Sequence, residues 1–126
     1  MAKGEHGRAG LRRRAVLLLR VSFWICLVGV LALAWLPAPP AELSTPWDKA
    51  NHALAFYILA ALAAAAYPGR RLIMLALGLT LVGVLIELVQ ATPWVRRDAS
   101  ALDVLADLVG IAACFGPVAL ARWRAG

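Results

Sequence analysis

Apolar residues along this chain gather into four long runs, at residues 15–36, 46–67, 72–91 and 100–121, separated by short polar or proline-containing stretches. Each run holds about 20 residues, which at roughly 1.5 Å of rise per residue matches the apolar thickness of a bilayer. The pattern predicts an all-α protein, a bundle of four transmembrane helices.

The breaks carry local signals. Pro37, Pro39 and Pro40 end the first run and predict an extended loop as far as Thr45. Thr45-Pro46-Trp47-Asp48 then reads as a helix start, with Thr45 as N-cap and Pro46 in the first helical position. Pro68-Gly69 is a turn, flanked by Arg70 and Arg71. Thr92-Pro93-Trp94 closes the third run. Ser100 is an N-cap candidate with Asp103 three positions on. Pro117 should bend the last turns of the fourth helix. The first run also fits a signal-peptide pattern, with Ala32-Leu33-Ala34 as a small-residue cleavage motif and a weak likeness to a twin-arginine signal. Its length and the embedded Arg20 favour an uncleaved anchor, with Arg20 snorkelling to the headgroups.

Composition supports the same class. Of 126 residues, 63% are hydrophobic and 16% charged, with a mean hydropathy of +0.78. A soluble domain carries more charge than that. Cys26 and Cys114 both fall inside apolar runs, where cysteine acts as a small hydrophobe rather than a disulfide or metal ligand. The net charge of +6 does not point to nucleic acid, because Lys3, Arg8, Arg12, Arg13, Arg14 and Arg20 crowd the first span. Residues 1–14 are expected to form a basic, mobile tail on an anionic cytoplasmic surface.

Charge also sets orientation. The tail, the Arg70-Arg71 turn and the C-terminus at 122–126 together hold ten Lys or Arg, against Lys49, Arg96 and Arg97 on the other side. This places both termini in the cytoplasm and predicts a multi-pass membrane protein. The acids show the opposite bias. Glu42, Asp48, Glu87, Asp98, Asp103 and Asp107 all fall toward the outer face.

Helical spacing brings several of these groups together. Asp48, Lys49 and His52 share a side of the second helix. Glu87 and Gln90 share a stripe of the third with Gly83. Asp103, Asp107, Gly110 and Cys114 repeat at 4-3-4 spacing on the fourth, a seam that should face helices rather than lipid. Gly83 and Gly110 would allow close backbone approach. Ionisable groups inside lipid-spanning helices are costly and often mark function. The expected product is one polar pocket open to the outer side, built from Asp48, Lys49, His52, Glu87, Gln90, Arg97, Asp103 and Asp107, with Arg96 nearby. Asp103 and Asp107 would be a like-charge pair unless Lys49 or an arginine answers them. Each residue also has a structural account: Asp48 and Asp103 as helix-start charges, His52 as an interfacial histidine, and Glu87 and Asp107 in ion pairs with arginine. No HExxH, GxSxG, Walker loop or zinc-ligand spacing occurs. No metal and no cofactor are expected; a metal on Asp103, Asp107 and Glu87 would rest on residue type alone.

The order Asp48-Lys49-x-x-His52, Glu87-x-x-Gln90, Arg97, then Asp103-x-x-x-Asp107-x-x-Gly110 resembles the VanZ-like family of small bacterial membrane proteins. The resemblance covers most of residues 46–121, a core of three helices, and departs where the family usually carries asparagine at the place of Asp107. It implies a four-helix integral membrane protein and an association with low-level teicoplanin resistance. No reaction is assigned to most of the family.

Three functions follow in order of preference. The first is a cell-envelope accessory protein whose pocket binds an anionic membrane lipid, a lipid-linked cell-wall precursor or a glycopeptide antibiotic. Lys49, Arg96 and Arg97 would hold phosphate there. The second is a membrane enzyme acting on a headgroup or phosphate ester, with His52 or Glu87 as acid-base. The third is a structural protein whose polar cluster only sets helix packing.

Overall fold

A computed structural model of the chain describes residues 2–37 and 47–126, with side chains described from Gly7 onward. The loop prolines Pro39 and Pro40 and the cap expected at Thr45-Pro46 lie outside the described residues. Four helices follow in order: α1 (Ala2–Trp35), α2 (Trp47–Ala66), α3 (Leu72–Gln90) and α4 (Ala101–Ala125). Each is long and apolar enough to cross a membrane. No strand occurs among the described residues.

Two expected boundaries are corrected. The basic segment read as a mobile tail is helical from Ala2, continuous with the first span. It contains no proline, and its alanines, leucine and arginines are good helix formers. A helix already nucleated by the apolar run extends back through them at little cost, despite Gly4, Gly7 and Gly10. At the other end, α4 continues past Pro117 to Ala125, so the expected C-terminal extension is its last turn. Arg122 and Arg124 there complement the negative end of the helix dipole.

α2 is the central helix. It touches α1, α3 and α4, whereas α1 and α4 do not meet among the described residues. Its buried residues Phe56, Leu59, Ala60, Ala63 and Ala66 explain the alanine-rich sequence, because small side chains let neighbours approach without a solvent-driven collapse. α3 buries Leu79, Gly83, Ile86, Glu87 and Gln90, one stripe of its surface. α4 buries Asp103, Asp107, Gly110, Ile111, Cys114 and Phe115, which includes the whole 4-3-4 seam. α1 is peripheral, and among its described side chains only Phe23 and Leu27 are buried. Leu17, Leu18, Ile25, Val28 and Leu33 face outward, as lipid allows and water does not.

The closest backbone approach lies between α2 and α4, which run parallel. A Cβ placed on Gly110 would collide with the Ala53 carbonyl oxygen and stand 3.0 Å from the Tyr57 nitrogen. Neither is a flexible side-chain end, so neither can move aside cheaply. Gly83 is different: an added Cβ would stand 2.7 Å from Asp107 Oδ2. Its missing side chain makes room for a carboxylate of α4.

The ends of the helices meet at two opposite poles. At one, Arg20 Nε donates to the Ala66 carbonyl at 3.2 Å, with its guanidinium over the Tyr67 ring at 5.1 Å. Trp24 Nε1 donates to the Tyr67 hydroxyl at 3.1 Å. Arg20 therefore satisfies the end of α2 instead of snorkelling away. At the same pole Arg122 donates to the Arg70 carbonyl at 3.3 Å. The starts of α2 and α4 and the ends of α1 and α3 lie at the other pole, with the site residues.

Gly110→Ala is expected to lower unfolding stability by about 3 kcal/mol, at the upper end of overpacking effects, because backbone must move. Gly78→Ala, where a Cβ meets nothing within 4 Å, should be neutral or slightly stabilising. Steric-trapping unfolding in bicelles compares the two; equal stabilities would disprove the close seam.

Candidate functional site

Four polar residues of α2 and α4 pair across the seam. Lys49 Nζ lies 3.1 Å from Asp103 Oδ1. One turn deeper, His52 Nδ1 lies 3.0 Å from Asp107 Oδ1. The expected like-charge pair is thus answered from α2, by Lys49 for one acid and by the imidazole for the other. Asp103 is 5% exposed and Asp107 1%, so neither can turn to bulk water. Both need partners within the protein.

Ser100 caps α4 as expected: its side-chain oxygen accepts from the Leu102 N–H at 3.2 Å. The reciprocal half of the cap does not come from Asp103, which is turned to Lys49. It comes from α3. Glu87 Oε2 accepts the Ser100 backbone N–H at 2.8 Å. This is a capping box assembled between two helices. It fixes where α4 begins relative to the end of α3, ten residues of non-helical chain later. Glu87 Oε1 and Asp107 Oδ2 are buried without a hydrogen-bond partner among the described residues.

A cavity of about 320 Å³ opens on the other side of α2, between α1, α2 and α3. Asp48, His52, Gln90 and Arg97 line it, against apolar walls from Val30, Phe56 and Ile86. Gln90 Nε2 donates to the Ala34 carbonyl at 2.9 Å, and one Arg97 nitrogen reaches the same oxygen at 3.2 Å. The last carbonyls of a helix have no partner inside it, so these two side chains close the end of α1. Arg97 keeps further N–H groups for the cavity, since a guanidinium carries five.

The eight residues expected in one pocket therefore divide. Asp48, His52, Gln90 and Arg97 line the cavity. Lys49, Glu87, Asp103 and Asp107 form ties between α2, α3 and α4, the three acids buried and Lys49 half exposed. Only His52 belongs to both, with Nδ1 on Asp107 and its ring on the cavity wall. Two of the three cations expected to hold phosphate are placed elsewhere. Lys49 is engaged by Asp103, and Arg96 is exposed with its backbone in the left-handed region at φ 50°. Glu87 is held by an amide and does not line the cavity, so it is removed from the acid-base candidates.

The donor set nearest to a metal site differs from the one that residue type alone suggested. Asp48, His52 and Asp103, not Asp103, Asp107 and Glu87, bring one ligand atom each within 4.8 Å of one another. The Lys49 ammonium already sits on Asp103, and His52 already turns Nδ1 to Asp107. The cluster is internally compensated. Sequence reading missed the role of α1: the carbonyls of Leu33 and Ala34, which complete the site through Arg97 and Gln90, carry no side-chain signal at all.

His52→Leu is expected to destabilise the bundle by about 3 kcal/mol, because it leaves both oxygens of buried Asp107 unpaired. Adding Asp107→Asn should recover at least half of that loss, since a neutral amide is less costly to strand than a carboxylate. An equal effect of Asp107→Asn with and without His52 would refute the coupling.

Comparison with protein-family models, with characterised proteins and with solved structures gives no match.

Proposed function

We propose that this chain is a VanZ-like multi-pass protein of the bacterial cytoplasmic membrane, with both termini in the cytoplasm, whose cavity binds the phosphorylated headgroup of an anionic or wall-precursor lipid. The observation that carries the reading is the makeup of the cavity. A guanidinium, an imidazole and the amides of Gln90 and Asn51 line, together with the Asp48 carboxylate, one opening whose apolar walls include Val30, Phe56 and Ile86. A polar head joined to an apolar tail matches such a wall, and membrane lipid is the amphiphile at hand.

Size narrows the choice within that reading. About 320 Å³ lies at the small end of small-molecule sites. That volume suits a headgroup rather than a whole glycopeptide antibiotic. Arg97 would take the phosphate through the guanidinium edge not used by Ala34, because planar donors pair well with phosphate oxygens. His52 and Gln90 would hold the hydroxyl or amide groups beside it. The positive-inside distribution of Lys and Arg supports an outer-leaflet position for this cavity, the side on which envelope precursors are consumed.

A second reading, a membrane enzyme, is favoured by one specific contact. The Asp107 carboxylate 3.0 Å from His52 Nδ1 fixes the orientation of the ring. Nε2 has no partner among the described residues, and the ring lines the cavity. An imidazole held in this way can act as a general base on water or a lipid hydroxyl. No Ser, Thr or Cys lines the cavity among the described residues, and the attacking group in this reading is water or a substrate hydroxyl.

Lipid co-purification with mass spectrometry tests the first reading. Arg97→Gln should lower retained anionic lipid at least tenfold, whereas Arg96→Gln should leave it unchanged. Equal retention in both variants at matched folded protein would sink it. For the second reading, headgroup release from labelled phospholipid should be lost in His52→Ala and fall at least tenfold in Asp107→Asn. Release that persists in both would rule out the imidazole.

A further inference from the structure

A second, larger opening lies at the opposite pole, about 14 residues, or roughly 21 Å, along α1 from Ala34. Its volume is about 590 Å³, and its walls are Ala9, Arg12, Arg13, Val16, Leu17, Arg20 and Pro68. The α1 members recur at spacings of three and four, so they form one helical stripe facing the α2–α3 turn. No contact described for the first cavity involves it.

The order of residues along the stripe is informative. Arg20 stands at the deep end and is held in place by the Ala66 carbonyl and the Tyr67 ring. Arg12 and Arg13 stand at the shallow end, exposed and without a hydrogen-bond or ion-pair partner among the described residues. Val16 and Leu17 lie between them. Basic groups above an apolar floor, at the end of a spanning helix, match a phosphate above acyl chains. Arg70 and Arg71, just past Pro68, add positive charge to the same pole.

We propose that this groove is a binding site for one acidic glycerophospholipid of the leaflet at the basic pole. Arg12 and Arg13 grip the phosphodiester, Arg20 forms the fixed wall, and an acyl chain lies along Val16 and Leu17. The site is separate from the cavity at the other pole and stands or falls independently of it. It also goes beyond a general attraction of basic residues to an anionic surface. Arg8 and Arg14 carry the same charge nearby but point off the stripe, by about 110° and 130° around the helix. General attraction would not distinguish the two pairs, whereas a groove does.

The experiment uses that difference. The full chain is purified, and native mass spectrometry follows retention of phosphatidylglycerol against phosphatidylcholine. Phosphatidylglycerol should be retained preferentially. The double variant Arg12→Gln/Arg13→Gln should lose at least tenfold in that retention. Arg8→Gln/Arg14→Gln, with the same change in net charge, should lose less than twofold. Both pairs are exposed, so neither is needed for folding, and Arg20 is left intact because it holds α2. Equal loss in both double variants means surface attraction only and overturns the site, as does no loss in either. Complete displacement of the lipid by inorganic phosphate would mean an anion site without lipid recognition, and would overturn it too.

Discussion

Two carboxylates on α4, placed where hydrocarbon would surround a lone helix, set the terms for this bundle. Asp103 and Asp107 cannot face lipid without large cost, so α4 must turn them to protein. α2 meets them with Lys49 and His52, one helical turn apart like the acids themselves. Gly110 then lets the two backbones touch at Ala53, just beyond the second pair. The polar pairs and the glycine do different things. Apolar packing in lipid tolerates sliding, because one alkyl surface resembles another. A slide of one helical turn, about 5.4 Å, would strand both acids and drive side chains into the Gly110 contact. The pairs therefore select register, and the glycine adds the close packing that lipid cannot compete with.

The same rule governs the helix ends. Backbone groups in a membrane must be satisfied within the protein. Here long polar side chains from other elements do it. Arg97 and Gln90 close α1, Arg20 closes α2, and Glu87 closes the start of α4. Each of these bonds joins two elements, so each is both a cap and a tertiary tie. It also divides the arginines. Arg20, Arg97 and Arg122 bind carbonyls. Arg12 and Arg13 have no such bond among the described residues, and of the first three Arg20 and Arg97 also line cavities.

Much of this was legible in the residues alone. Four apolar runs of bilayer length define four helices, and proline, glycine and serine mark their ends within a few positions. The 4-3-4 spacing from Asp103 to Cys114 identified the buried face of α4 correctly, because in lipid a polar stripe can only turn inward. The partition of the site was not legible. Spacing says that Asp48, Lys49 and His52 share a side of α2, but a helix side about 100° wide can serve two neighbours at once. Lys49 reaches α4 while Asp48 lines a cavity toward α1. Glu87 reads as a reactive acid by depth, yet its partner is a backbone amide, which has no signature in sequence. The basic tail reads as mobile by composition, yet helix propagation from an adjoining span overrides composition.

His52 is where structure and chemistry cannot be separated. Its ring is the wall between a buried carboxylate and the cavity. Its bond to Asp107 holds the ring between α2 and α4, so anything that moves the ring also loosens that tie. Under the proposed headgroup reading, a ligand touching the ring would act on the register of the two helices as well, and by linkage binding and bundle stability would each report on the other.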